Sequence, residues 1–278
     1  MLLGKLIVGS IKGDVTLDKY ISAAKEAAYK AGEMLRKNFH EARKIHFKGT
    51  IDLVTHFDTL SQKMIFKHLS TSFPDHDFLA EEGLSKENGA GFRWFIDPLD
   101  GTTNFAHKFP VFCVSIALER NGEVVLGVVY DPTRIEMFWA IKDEGAFLRE
   151  EKIRVSSVDE LDKSLVATGF PYDIRVSEVN NINHFNNFLT RVQALRRCGS
   201  AAMDLCHVAC GRFDGFWELK LKPWDVAAGA LILKEAGGQI SDFNNGEYSI
   251  FGLETLGTNG LIHQQMIDIL QLGKVSPK

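Results

Sequence analysis

Apolar residues recur at helical spacing near the start of the chain. Ile21, Ala24, Ala28, Ala31, Leu35 and Phe39 fall on one stripe, which predicts an amphipathic helix from about Leu17 to Phe39. A second helix is expected after Thr55–Asp58, with Leu60, Met64, Ile65 and Leu69 turned inward. Short strand-like runs follow at Phe78–Ala80, Phe92–Ile96, Cys113–Leu118, Val124–Tyr130, Glu136–Ile141 and Ala146–Val155. Asn121-Gly122, between two of these runs, is a hairpin signal. The second half alternates: strand Ser164–Gly169, a helix near Val179–Thr190, strand Ala194–Arg197, helix Ser200–Ala209 with Gly211 as its stop, strand Gly215–Leu219, helix Asp225–Ala236. That last helix is small and apolar nearly all round, so it is expected to lie buried between layers. A final amphipathic helix is expected from about Leu261 to Leu270. Helices, then strands, then both in alternation predict stacked layers of mixed type. No repeat, linker or composition shift marks a domain boundary. The chain is therefore read as one unit, 1–278, with a subdivision near residue 155 (1–155 and 156–278) as the alternative.

Composition narrows the class. The chain has 278 residues, 45% hydrophobic and 24% charged, with a formal net charge of −4, as in an ordinary globular protein. This balance, with no basic stripe or stacking motif, argues against a nucleic-acid partner. Cys113, Cys198, Cys206 and Cys210 show no CxxC spacing, and are too few for a disulfide scaffold in a chain of this size. Cys206 and Cys210 have chelating i,i+4 spacing but read as core thiols. The apolar start, interrupted by Lys5, lacks the features of a signal peptide, and no run reaches the length needed to span a bilayer. The expected location is the cytoplasm, with no membrane partner.

The candidate chemistry is acidic. Asp58, Glu81-Glu82, Asp97, Asp100 and Asp225 end or begin apolar runs, which draws their carboxylates toward the interior. Buried carboxylates need cationic partners, and few Lys or Arg residues lie beside these positions, so shared metal cations are the better reading. The richest segment runs from Trp94 to Phe105. Its strand is expected to end at Asp97, with Pro98 forcing a turn that brings Asp97 and Asp100 to one point and turns the Leu99 carbonyl outward. Two carboxylates and a carbonyl are hard oxygen ligands suited to Mg²⁺. A helical turn beginning at Gly101–Thr103 would direct free N–H groups at a phosphate.

These residues carry a family resemblance. Asp97–Phe105 (DPLDGTTNF) resembles the first signature of the inositol monophosphatase family, and Trp224–Gly229 followed by Glu235–Gly238 resembles the second. Phe78–Glu82, Leu53–Asp58 and Arg197–Ala202 resemble its other acidic and substrate-side segments, the last in the form of the bacterial branch. The five occur in the family's order. The resemblance implies an α/β, five-layer α-β-α-β-α sandwich of the sugar phosphatase type, commonly homodimeric, which hydrolyses phosphomonoesters with Mg²⁺ and is often inhibited by Li⁺. It assigns Glu81, Asp97 and the Leu99 carbonyl to a first metal and Asp97, Asp100 and Asp225 to a second. Glu82, Asp58 and Glu81 fall near a water-rich or third-metal position. Thr102 is the candidate for orienting the attacking water, with Asp58 accepting from its hydroxyl. Gly101 and Thr102 would hold the phosphate. Gly199, Ser200, Ala201, Glu218 and Asp225 would contact the sugar or polyol, and Lys48 resembles a basic residue on a mobile flap.

Other chemistries fit poorly. There is no Walker A loop and no G-x-S-x-G elbow. Gly89-Ala90-Gly91 lacks a third glycine and precedes a strand. Asp-x-Asp-Gly-Thr phosphatases use an aspartyl nucleophile, but here an extra residue separates Asp97 from Asp100. Arg175, Lys220 and Lys222 suggest a second-phosphate subsite and hence fructose 1,6-bisphosphate as an alternative substrate. A regulatory role on RNA machinery is the alternative from another class.

Overall fold

The structure, a computed structural model, describes residues 17–40, 45–47, 53–89 and 91–272; for 45–47 and 53–55 it describes the backbone alone. Helices α1 (Asp18–Asn38) and α2 (His56–Ser72) form the first layer. A two-stranded ladder of β1 (Ile45–Phe47) and β2 (Leu53–Thr55) lies between them in sequence.

The second layer is an eight-stranded sheet of β3 (Asp77–Ala80), β4 (Ser85–Lys86), β5 (Phe92–Asp100), β6 (Cys113–Arg120), β7 (Glu123–Asp131), β8 (Glu136–Ile141), β9 (Gly145–Leu148) and β10 (Glu151–Lys152). Their order is β10-β9-β8-β7-β6-β5-β3-β4. Every pair is antiparallel except β3 with β5. Asn121 and Gly122 both take positive φ, 53° and 87°, as the expected β6–β7 hairpin requires.

Helix α3 (Thr102–Ala106) follows β5 directly. The second half adds β11 (Leu165–Thr168), α4 (Ile182–Leu189), β12 (Ala194–Arg196), α5 (Ala201–Ala209), β13 (Gly215–Leu219), α6 (Pro223–Glu235), β14 (Gln239–Ser241), β15 (Glu254–Thr258) and α7 (His263–Leu270). Its strands form a five-stranded sheet in the order β12-β11-β13-β15-β14.

Three buried clusters define five layers. The first packs α1 and α2 against one face of the large sheet, through Ala24, Ala28, Leu35, Ile65 and Leu69 against Trp94, Ile96, Ile116 and Val128. The second holds α5 and α6 between the sheets: Ala202, Leu205, Ala227 and Ile232 meet Phe95, Ala117 and Ala140 on one side and Ala167 and Phe216 on the other. The third covers the far face of the small sheet with α4 and α7, where Phe188 stacks on Trp217 at 4.0 Å. Layers run α-β-α-β-α, and each fully buried large side chain contributes about 1.5–3 kcal/mol. Helix α6 is buried between layers as its apolar circumference predicts.

Three expectations need correction. Strand β5 does not end at Asp97 but runs to Asp100 through a bulge, where Asp97 pairs Ser115 and Asp100 pairs Cys113. Pro98 is tolerated there because a bulge residue needs no ladder N–H. The run Ala146–Val155 is two strands, because Arg149 turns at a φ of 57° and Glu151 pairs back on Leu148. The helix near Val179–Thr190 is shorter, starting at Ile182 and leaving Val179 exposed.

Candidate active site

The bulge in β5 sets the geometry of the site. Residues three apart on a regular strand point to opposite faces. One extra residue between Asp97 and Asp100 reverses that parity, so both line the same cavity of about 420 Å³. Two contacts hold the bulge: Asp97 Oδ1 accepts from Leu99 N–H at 3.0 Å, and the Ser61 hydroxyl of α2 donates to the Pro98 carbonyl at 2.7 Å. Gly101 follows at φ 99°, where a Cβ would meet the Val111 carbonyl oxygen at 2.8 Å. Only glycine turns the chain there and lets α3 start against the cavity.

Glu81 reaches the same wall by strand pairing. It follows β3, and its N–H donates to the Ile96 carbonyl at 3.2 Å, next to Asp97. Asp225 comes from the opposite layer. Pro223 opens α6, so Asp225 sits at the third helical position, two residues further in than the sequence predicts, and its Oδ2 accepts from Lys222 N–H at 2.7 Å. Glu218, on β13, closes the far end. A Cβ on Gly169 would lie 2.2 Å from Glu218 Oε1, so the bare glycine makes room for this carboxylate. Thr102 is 7% exposed, and its hydroxyl donates to Oδ1 of the fully buried Asp58 at 2.7 Å, with the Leu99 carbonyl oxygen at 3.0 Å.

Electrostatically the cavity is strained by like charge. Burial, then Glu81, Asp100 and Asp225, raise the Asp97 carboxyl well above the usual range. Burial also raises Asp225 strongly, with Asp100, Glu81 and Glu218 adding to it. Asp100 is pushed up to about 6 by burial, against the opposing hydrogen bonds from Ser200 and Ala202. Glu218 is pushed up to about 8 by burial and by Asp204. Among the described residues no three His, Cys, Asp or Glu side chains already form a metal cage. The donor set still fits a hard divalent cation: carboxylates and a carbonyl around one cavity, with burial first and then neighbouring carboxylates disfavouring the charged forms of Asp97 and Asp225.

The cavity gathers most of the predicted residues: Glu81, Asp97, Leu99, Asp100, Gly101, Thr102, Gly199, Ser200, Ala201, Glu218 and Asp225 all line it, and Asp58 stands behind Thr102. Glu82 and Arg175 do not line it. The Glu82 backbone is instead clamped by Gln62, whose Oε1 accepts its N–H at 2.9 Å. Lys48 lies outside the described residues. Lys220 lines the cavity, but its ammonium is held by Asp173 at 2.7 Å and Ser177 at 2.8 Å. Arg197, the first residue of the substrate-side segment, also lines the cavity without having been given a role, and Asp204 lines it without having been singled out from sequence. The signal for Asp204 was one acid inside the apolar stretch Ala201–Ala209.

Residues 16–271 match the sequence profile of the inositol monophosphatase family. The chain is 42% identical over 266 residues to inositol monophosphatase 1 of Solanum lycopersicum, covering 93% of this chain and 97% of that one. It is 42% identical over 229 residues to Nus factor SuhB of Salmonella typhimurium, covering 81% and 86%. The solved inositol monophosphatase of Anabaena (Nostoc) superposes with a TM-score of 0.84 at 41% identity, covering 92% of this chain and 96% of that one.

Proposed function

The chain belongs to the inositol monophosphatase family and is a phosphoric monoester hydrolase, and from that premise we propose that it is Mg²⁺-dependent and hydrolyses inositol monophosphate or a related sugar or polyol phosphate by direct attack of water. The observation that carries this reading is the convergence of Glu81, Asp97, Leu99, Asp100, Thr102 and Asp225 on one cavity. Both halves of the chain supply these residues, so they act as one catalytic unit. Lithium inhibition, a homodimer and a cytoplasmic location belong to the same proposal; no helix among the described residues is long and apolar enough to cross a membrane.

Glu81, Asp97 and the Leu99 carbonyl would hold one cation, and Asp97, Asp100 and Asp225 a second; a third would fall near Glu81 and Asp58. Such cations supply charge neutralisation for the phosphoryl group and acidify a bound water. The chain's own residues do the positioning. The Thr102 hydroxyl spends its proton on Asp58, which leaves oxygen lone pairs to accept from the attacking water. That water forms the new P–O bond as the bond to the alcohol oxygen breaks, yielding inorganic phosphate and the free polyol. The amides of Gly101 and Thr102 bind the phosphoryl oxygens. Glu218, Gly199 and Ala201 meet the ring hydroxyls.

For the bisphosphate alternative, Arg175 is outside the cavity and Lys220 is ion-paired with Asp173, whereas Lys222 lines the cavity and is the residue that keeps a second-phosphate contact open. Similarity to a Nus factor keeps a role on RNA machinery as the reading of another class. The test is phosphate release from inositol 1-phosphate, fructose 1,6-bisphosphate and nucleotide 3′-phosphates, with Mg²⁺ and with chelator. Mg²⁺-dependent release from a sugar or polyol monophosphate is expected, and Asp97→Asn should lower kcat by orders of magnitude in a folded protein. Release that is insensitive to chelator, or near-normal turnover by Asp97→Asn, overturns the reading. Binding to RNA machinery that survives loss of Asp100 and Asp225 would favour the regulatory one.

A further inference from the structure

Helix α5 is capped from a distant part of the chain. Ser200 stands at its N-cap, where a serine ordinarily bonds an amide of its own first turn, yet it makes no side-chain bond to its helix. Its hydroxyl donates instead to Oδ2 of Asp100 at 2.7 Å, and Ala202 N–H donates to the same oxygen at 2.8 Å. The Cys113 sulfur lies 3.9 Å from that oxygen and 3.6 Å from Ser200 Oγ. Ser200 is 2% exposed and Cys113 fully buried, so water does not compete for these contacts. The turn is held from its other side by Asn104, whose Nδ2 donates to the Val111 carbonyl at 2.7 Å and the Cys198 carbonyl at 2.8 Å.

These bonds restrict what Asp100 can offer. A carboxylate oxygen has about two lone-pair directions, and both on Oδ2 are taken by short donors, while the Ala201 N–H adds a further hydrogen bond to the same carboxylate. The terminal torsion of a free Asp is broad; here the two donors define it. What remains for a ligand in the cavity is Oδ1.

We propose that Ser200 is a positioning residue for Asp100, fixing Oδ2 so that Oδ1 alone is presented to a divalent cation and the first turn of α5 sets the cavity's cation affinity. The inference rests on the reading of this cavity as a cation-dependent phosphatase site. It gives the Ser200 hydroxyl a different task from the substrate contact expected of it, and it ties the substrate-side turn to a metal position through one hydrogen bond.

The test is Mg²⁺ titration of the full chain, followed by thermal shift and independently by steady-state KM for inositol 1-phosphate. In Ser200→Ala the half-saturating Mg²⁺ concentration should rise about tenfold, as expected for loss of a hydrogen bond to a charged group. The KM at saturating Mg²⁺ should stay within about twofold, and Ser200→Thr, which keeps the hydroxyl, should restore the Mg²⁺ midpoint. An unmoved midpoint in Ser200→Ala, or a raised KM with the midpoint unmoved, overturns the inference and returns the hydroxyl to the substrate. Should Ser200→Ala fail to fold in chelator, Ser200→Cys, with a weaker donor, takes its place under the same criteria. A wild-type protein that gains no stability from Mg²⁺ brings down the metal reading itself; a responsive wild type with a Ser200→Ala midpoint to match sinks the positioning role alone.

Discussion

Gly127 clamps helix α6 to the large sheet, and an alanine there should cost both stability and activity. In the sheet register Gly127 lies between Ala117 of β6 and Ala140 of β8, a row of small residues on which α6 rests. A Cβ at Gly127 would stand 2.8 Å from the Ala228 carbonyl oxygen and 2.9 Å from its Cα. Those are backbone atoms of a buried helix, so no side chain can swing away. Restoring an ordinary 3.4 Å contact to that Cα moves the helix back by about 0.5 Å. Overpacking of this kind costs about 1–3 kcal/mol, offset by about 0.4–1 kcal/mol from the stiffer unfolded chain. A net loss of about 1–2 kcal/mol should lower Tm by about 2–4 °C per kcal/mol in a chain of this size. The same displacement carries Asp225, at the third position of α6. Because productive sites hold within about 0.5 Å, kcat/KM should fall about tenfold. Thermal unfolding in chelator and Mg²⁺-dependent phosphate release read the two effects. Gly122→Ala is the control: its φ of 87° penalises alanine, but nothing lies within 4 Å of the new Cβ, so Tm should fall while activity is kept. A Gly127→Ala protein with wild-type Tm and turnover refutes the clamp.

In chelator Asp97→Asn should be more stable than wild type, since it removes one of the charges that raise each other's pKa; an equal or lower chemical-denaturation midpoint counts against like-charge strain. His263 is buried, with Nε2 2.9 Å from Ser241 Oγ and Nδ1 2.9 Å from Thr258 Oγ1, and burial lowers its pKa from 6.5 to about 4. The fold therefore favours the neutral ring: its full contribution is present above about pH 6.5 and is lost as pH falls toward 4, by up to about 3 kcal/mol. In denaturant melts His263→Gln should flatten the stability slope over that window, and an unchanged slope contradicts the assignment. Arg212 bonds both Glu136 oxygens at 2.6 Å and joins the loop after α5 to the start of β8. Arg212→Ala should cost about 1–2 kcal/mol, discounted for its partial exposure, as read by the same melts.

Periodicity served well where burial is one-sided or total. The stripe from Ile21 to Leu35 and the apolar circumference of α6 read directly as a covering helix and a sandwiched one. It failed where a turn carries no turn residue: Arg149 takes a positive φ with neither Gly nor Asn to announce it. Strands β14 and β15 escaped notice for a related reason. They read QIS and ETLGT, with a single large apolar residue each, so no apolar run marks them. At the site, residue type was legible but direction was not. Asp97, Asp100 and Asp225 stood out as acids at the edges of apolar runs. That Asp100 turns one oxygen to α5, and that Ser200 donates to Asp100 instead of capping its own helix, depends on contacts between residues a hundred positions apart.

The same distance explains why the acids can be gathered at all. A chain that places seven carboxylates around one cavity works against their mutual repulsion, so the ones at its centre must be held by bonds to backbone elements already fixed by packing. Asp97 is held by its own bulge, Asp100 by α5, and Asp225 by the first turn of α6. Those three anchors belong to two different layers, and the layers meet across the cluster in which Phe95 and Ala117 of the large sheet pack on Ala202 and Ala227. Packing of small apolar side chains in the middle layer thus sets the distance between acids that it never touches. Substitutions in that layer should therefore act on cation affinity and stability together, whereas substitutions on α4 or α7, which cover the far sheet face, should act on stability alone.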